Sequence, residues 1–308
     1  MPANTFDMLR RPAIALTALA LLAWPSSSTA LDAVTAKNHG LSGWSLRWQP
    51  QRLVNGSPVV FQVTSPARLT SLAGKWLDHD VFFSYDARSR NWFGIAGISL
   101  ETPPGKHELM LEGESDAGKK LSWHRTIIVG KAAYRRIVVS VPKRFTEPSP
   151  EQLQEIKEDQ SLKKDIFSRT DPQREWAGRF LPPVNGPISD VFGTTRTFNG
   201  QTQSVHQGLD YGVAPGTAVE ALNRGTVLLA RPLFFEGNCV VLDHGQGLLT
   251  IYMHLSKFAV KEGEQVARGQ EIALSGGTGR ATGPHLHVAV RWQGIYLDPA
   301  TLLNLKLP

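Results

Sequence analysis

His206-Gln-Gly-Leu-Asp210 and His285-Leu-His287 decide how this chain is read. Two well-separated segments together offer three or four metal ligands. Both lie in glycine-punctuated, β-prone surroundings. Residues two apart in a strand share a face, so His285 and His287 should project together, with Leu286 opposite. His206, Gly208 and Asp210 should also share a face, the bare Gly208 leaving room for an ion. Two histidines and one aspartate leave a fourth position open on a tetrahedral zinc, the pattern of a catalytic rather than a structural site. Nitrogen donors of this kind favour zinc over magnesium or calcium, which take all-oxygen shells. Geometry alone would allow either His285 or His287 as the third ligand. Each pair by itself is a common coincidence, and the reading depends on the two segments meeting in space.

Three further stretches extend the pattern: Tyr252-Met-His254-Leu255, Thr282-Gly-Pro-His285-Leu-His287, and the run from Gly237 to Gly245 between the first two motifs. With Val266-Ala-Arg-Gly269-Gln-Glu-Ile272, these resemble, in order, the motifs of the lysostaphin-like metallopeptidase family M23, from about Leu181 to Pro299. The resemblance implies antiparallel β-sheets with a metal cleft on a concave face, and one zinc per chain held by His206, Asp210 and His287. It places His285 and His254 just outside the metal shell as catalytic histidines. Zinc lowers the pKa of water to roughly 7, a neutral imidazole can take the proton, and zinc with a second histidine stabilises the oxyanion. His285 is the preferred base and His254 the oxyanion partner or proton donor, although the sequence does not separate these roles. Tyr252, Arg196 and Asn199 are candidate substrate contacts. Packing accounts equally for Tyr252, and turn chemistry for Asn199-Gly200. The implied activity is hydrolysis of peptide stems or cross-bridges of bacterial peptidoglycan. The alternative is a latent or non-catalytic wall-binding activator of a separate amidase. Such relatives have lost ligands, whereas this chain keeps all three and both histidines.

The 308 residues suffice for two domains. Residues 1–30 read as a signal peptide: Arg10-Arg11, an apolar run from Ala13 to Trp24, and a small-residue end at Ser28-Thr-Ala30. The run is short for a bilayer span, so the expected product is exported, periplasmic or extracellular at the cell wall, without a stable membrane anchor after cleavage. The single cysteine, Cys239, excludes an intramolecular disulfide and lies in a β-like run suited to the core. A formal charge of +6 suits an acidic polymer. No nucleic-acid-binding motif is present, which argues against a nucleic-acid partner.

The fold expected is mainly β. Residues 31–145 carry strand-like runs such as Val59–Val63, Val81–Tyr85, Trp92–Ile95, His107–Leu111 and Arg136–Val141, divided by Gly, Pro and Asp turns. Many short strands point to an immunoglobulin-like sandwich. Trp44, Trp48, Trp76, Trp92 and Trp123 there are read as packing residues, with a sugar-binding face as the competing reading. Residues 146–176 read as a helical linker, with Ser149 as N-cap, Pro150 at the first helical position, and Leu153 and Ile156 on the buried face. Residues 177–308 form the antiparallel β peptidase-like domain, with strands expected at Val219–Ala230, Cys239–Leu242, Leu249–Met253, Glu271–Leu274 and Leu286–Arg291. His244, before Gly245, is read as a structural histidine.

Overall fold

The computed structural model describes residues 43–145, 147–168, 170–198 and 202–308. The signal-like segment and Asn199 lie outside the described residues. An eight-stranded sheet comes first, built on the two-residue alternation of its sequence. In Gly105–Ser115, Leu109, Leu111, Gly113 and Ser115 are buried while their neighbours face outward. The strand His79–Asp86 joins two layers: its first half pairs with Ala73–Trp76, its second half with Asn91–Gly94. Between the layers lie Phe61, Trp76, Ile95, Leu109 and Leu111. The tryptophans serve packing: Trp76 is fully buried and donates to the Gly97 carbonyl at 3.0 Å, and Trp44 stacks flat on Trp123.

Arg136–Val139 departs from the sequence expectation. It leaves the first sheet and pairs in parallel with Thr195–Phe198, which in turn pairs with Thr202–Val205. The chain then enters the helix Pro150–Phe167. The Ser149 side chain accepts from the Gln152 backbone, and the Gln152 side chain accepts from the Ser149 backbone. This reciprocal cap satisfies two orphan donors at the helix start. Ile156 is buried as expected, but Leu153 is exposed, and the main docking residue is Ile166 near the other end.

The second large sheet follows the spatial order Ile188–Asp190, Leu209–Tyr211, Leu286–Trp292, Leu248–Leu255, Gly237–Asp243, Gly225–Leu233, Gln265–Val266. The expected strand Val219–Ala230 is two strands, Ala218–Glu220 and Gly225–Leu233. Between them the chain turns around Asn223, whose side chain accepts from the Ala177 backbone and donates to the carbonyls of Ala177 and Gly178. Alternation along Leu286–Trp292 gives the sheet its two faces. Leu286, Val288, Val290 and Trp292 enter a core continuous with that of the first sheet. Ala289 packs on the other face with Leu229, Val241, Leu249, Ile251 and Cys239, and Ile166 of the helix covers part of this face. The uncovered part holds the candidate site.

A candidate metal centre and its cleft

The strand pair Leu209–Tyr211 and Leu286–Trp292 sets Asp210 directly opposite His287. His206 joins them from the end of the neighbouring hairpin. Its backbone N–H donates to the Thr194 carbonyl, and its own carbonyl accepts from Gly193. His206 Nε2, Asp210 Oδ1 and His287 Nδ1 converge, with separations of 3.0 Å, 2.7 Å and 3.0 Å around the triangle. Three buried atoms whose lone pairs can point at one centre fit a metal far better than they fit one another. Zinc bonds of about 2.0–2.1 Å give tetrahedral edges only a little longer than these.

The outer atoms of the ligands support the same fit. His206 Nδ1 lies 2.9 Å from the Val191 carbonyl. A carbonyl only accepts, so this nitrogen carries the proton and Nε2 presents a lone pair inward. Asp210 Oδ2 accepts from Arg196 at 2.5 Å, which leaves Oδ1 as the inward oxygen. Arg196 also holds Asp190 through two nitrogens, and Arg135 and the Thr194 hydroxyl donate to the second Asp190 oxygen. Burial alone would raise the Asp210 carboxyl, but the two histidines packed against it, His206 and His287, hold it well below the ordinary carboxylate range. Burial pushes His287 below the ordinary histidine value, favouring the neutral, ligating form. Among the described residues, His206, Asp210 and His287 are a cluster whose ligand atoms converge closely enough for a metal.

Two more histidines face the cluster. His285 donates Nδ1–H to the Gly283 carbonyl at 2.8 Å, and its Nε2 lies 3.9 Å from Asp210 Oδ1. His254 donates Nδ1–H to the Thr278 carbonyl at 2.8 Å, and its ring centre is 4.7 Å from that of His285. Strand alternation would have sent His254 to the core face with Tyr252. A bulge on the 248–255 strand, opposite Asn238–Val240, and a backbone φ of +62° at His254 turn the side chain into the cleft. Backbone in that region is costly for a residue with a Cβ and persists where the surroundings dictate it. Burial, then the neighbouring His287 and His285, pushes the His254 pKa down to about 3.

The cluster opens into a cleft of about 630 Å³. Met253, Ala289, Tyr296, Arg135, Ile137, Val139, Arg280 and Pro284 are among the residues that line it. Of the residues singled out from sequence, His206, Asp210, His287, His254 and His285 come together. Tyr252 does not reach the cleft: it is fully buried on the opposite face, and its hydroxyl accepts from the Leu222 N–H at 2.8 Å. Arg196 borders the cleft, but its guanidinium is committed to Asp190 and Asp210. Gly208 makes room for a ring and not for an ion, since a methyl group there would lie 2.4 Å from His287 Nε2. Arg135, Asp190 and Thr278 went unread in the sequence. The first two belong to no short motif, and Thr278 sat among glycines read only as backbone shape.

Residues 204–299 match the model of Peptidase family M23. Over 103 residues the chain is 50% identical to Peptidoglycan DD-endopeptidase ShyA of Vibrio cholerae serotype O1, covering 33% of this chain and 23% of that protein. Over 121 residues it is 37% identical to DD-carboxypeptidase/endopeptidase Mpg of Neisseria meningitidis serogroup B, covering 39% of this chain and 28% of that protein. The chain thus spans about a quarter of the length of these curated relatives. A crystal structure from Pseudomonas aeruginosa described as a peptidase M23 is similar with a TM-score of 0.62 and 29% identity, covering 82% of this chain and 95% of that chain. That coverage is too wide to be confined to residues 177–308, so the likeness takes in part of the N-terminal β region.

Proposed function

This chain carries a Peptidase family M23 domain over residues 204–299, and we propose that it is an exported zinc endopeptidase that hydrolyses peptide cross-links of bacterial peptidoglycan. The observation that carries the proposal is the inward convergence of His206 Nε2, Asp210 Oδ1 and His287 Nδ1 beneath two further histidines in one cleft. His206, Asp210 and His287 would hold the zinc. Zinc bound there supplies Lewis acidity, lowering the pKa of water to about 7 and polarising a carbonyl. Completeness of the ligand set and of both histidines supports the enzyme over a non-catalytic activator.

The chain's own groups then manage protons. His285 and His254 each spend Nδ1–H on a carbonyl, so each neutral ring offers an unprotonated Nε2 to the cleft. His285, the nearer to Asp210, takes the proton of the attacking water. His254 can donate from Nε2 only after gaining a proton. The geometry therefore supports proton transfer toward the leaving amine for this residue, in place of standing as an oxyanion donor from the start. Water adds to the carbonyl carbon, the C–N bond breaks, and the amine departs with a proton. Arg196 and Arg135 hold the Asp190–Asp210 pair in place.

Export is part of the proposal and rests on residues 1–30. Among the described residues, no helix is long and apolar enough to cross a membrane. The test is digestion of purified peptidoglycan by the purified protein, with and without a chelator, fragments being read by mass spectrometry. Chelator-sensitive release of cut cross-link peptides is expected. A folded, zinc-loaded protein that releases none would overturn the enzymatic reading in favour of the activator.

A further inference from the structure

We propose that the Tyr296 hydroxyl is a substrate-binding group, donating a hydrogen bond to a peptide carbonyl that flanks the scissile amide. The proposal rests on the endopeptidase reading above and adds a contact by which the protein grips its peptide. Tyr296 lines the same cleft as His254, His285 and His287. Its hydroxyl makes no hydrogen bond among the described residues. Other polar groups of the lining are already engaged: Arg135 and Arg196 with Asp190, Arg196 with Asp210, and Glu236 with Lys163. A partly buried hydroxyl without a protein acceptor takes its partner from water or from a ligand. In a cleft that binds peptide, the acceptor repeated at every residue is the backbone carbonyl.

The sheet fixes where that contact falls. Tyr296 lies on the strand Ile295–Leu297, directly opposite Arg291 on the strand that carries His287. Residues two apart in a strand share a face, so His287, Ala289 and Arg291 point the same way, and His287 and Ala289 line the cleft. From His287 to Arg291 the strand advances about 13 Å, at roughly 3.3 Å per residue. A peptide whose scissile amide sits at the ligand cluster therefore brings a neighbouring carbonyl, and not the scissile one, to Tyr296.

The ring is held in place by a cation and by packing. Arg291 Cζ lies 5.5 Å from the centre of the Tyr296 ring and 4.3 Å from that of Phe167, the last residue of the helix Pro150–Phe167. Its Nη2 donates to the Gly294 carbonyl at 3.1 Å, in the turn that joins the two strands. The Tyr296 ring also packs on the cluster that contains Ile166, Leu249 and Ile251. Attraction between the guanidinium and the aromatic faces adds to this packing, so the hydroxyl is presented with little rotamer freedom left to lose on binding. Burial pushes the Tyr296 hydroxyl above the ordinary tyrosine value, against the opposing pull of Arg291. The group keeps its proton at neutral pH and has it to give to a carbonyl oxygen.

The test uses cross-linked muropeptides shortened one residue at a time on either side of the scissile amide, with the full-length protein and its Tyr296→Phe variant. Phenylalanine keeps the ring and removes only the hydroxyl. On the longest substrate the variant should lose about three- to tenfold in kcat/KM through a higher KM with kcat unchanged, the size of one neutral hydrogen bond. The loss should vanish on the shortened substrate that lacks the contacted carbonyl, where wild type falls to the level of the variant. Zinc content and melting temperature are measured alongside, and a loss that tracks either of them overturns the inference. Equal kcat/KM for both proteins on every substrate also overturns it and leaves the endopeptidase reading standing. So does a penalty of the same size on every substrate, which shows a structural role for the hydroxyl. Failure of wild type to cut any of the substrates counts against the endopeptidase reading itself, and the inference falls with it.

Discussion

Gly208 shows how little spare room the ligand cluster has. A methyl group at this position would meet His287 Nε2 at 2.4 Å and the Val288 carbonyl at 2.6 Å. The ring must move, because the carbonyl belongs to the paired strand and cannot. Gly208→Ala should therefore weaken zinc binding by about 10–100-fold, the range seen when the support of a ligand is disturbed. Chelator competition measures it, and wild-type affinity would show that the ring has slack. His287→Ala should lose zinc and hydrolysis together, whereas stoichiometric zinc in the purified variant would remove His287 from the ligand set. The proposed ligands stood out in the sequence because only a few residue types can bind zinc and these sit in compact motifs. Their supports did not. Arg135, Asp190 and Arg196 meet from separate segments with no short-range pattern, and the left-handed backbone of His254 follows from a bulge against a neighbouring strand.

At the scale of elements, local chemistry was readable and docking was not. The start of the helix Pro150–Phe167 follows from Ser149, Pro150 and Gln152 alone. Its buried face does not, because its apolar residues are few and the sheet chooses among them. Ile166 packs with Leu229, Val241 and Leu249, while Leu153 faces solvent. Truncating Ile166 to alanine should cost about 2–4 kcal/mol of stability, the usual cost of a vacated core site. Leu153→Ala should cost well under 1 kcal/mol, as surface changes do. Denaturant unfolding of the two variants decides it, and equal costs would mean that the helix is not docked through Ile166. Arg136–Val139 makes the same point for strands. Its β character was plain, but its partner lies some sixty residues on in the chain at Thr195–Phe198, and pairing over such a separation leaves no local signature. The result is that a segment expected in the first sheet forms a wall of the cleft.

For the whole molecule, stability should depend on pH through a residue remote from the site. His244 is fully buried, with Phe180 edge-on at 5.4 Å. Its Nδ1–H donates to the Arg224 carbonyl at 2.7 Å, and its Nε2 lies 2.8 Å from the Thr250 hydroxyl. The Thr250 and Tyr252 hydroxyls are 3.1 Å apart, and Tyr252 already accepts from the Leu222 N–H. With His244 neutral, donors run in one direction, from Leu222 N–H to Tyr252, to Thr250, to His244 Nε2, and every proton finds an acceptor. Protonating Nε2 reverses Thr250 onto Tyr252, whose own hydroxyl proton then loses its acceptor inside the core. Burial accordingly pushes the His244 pKa down to about 4, against about 6.5 in the unfolded chain. Between these values the unfolded state binds more protons, so stability rises with pH across that window. The contribution is fully present above about pH 6.5 and is lost as pH falls toward 4. At 1.36 kcal/mol per unit, the difference amounts to about 3 kcal/mol. Denaturant unfolding from pH 7.5 to 4.5 should show this slope in wild type and a shallower one in His244→Gln, which cannot take up the proton. The two proteins are compared as a difference, so the titration of the cleft histidines cancels. Parallel curves would show that His244 keeps its proton balance on folding, and that the hydroxyl chain tolerates reversal.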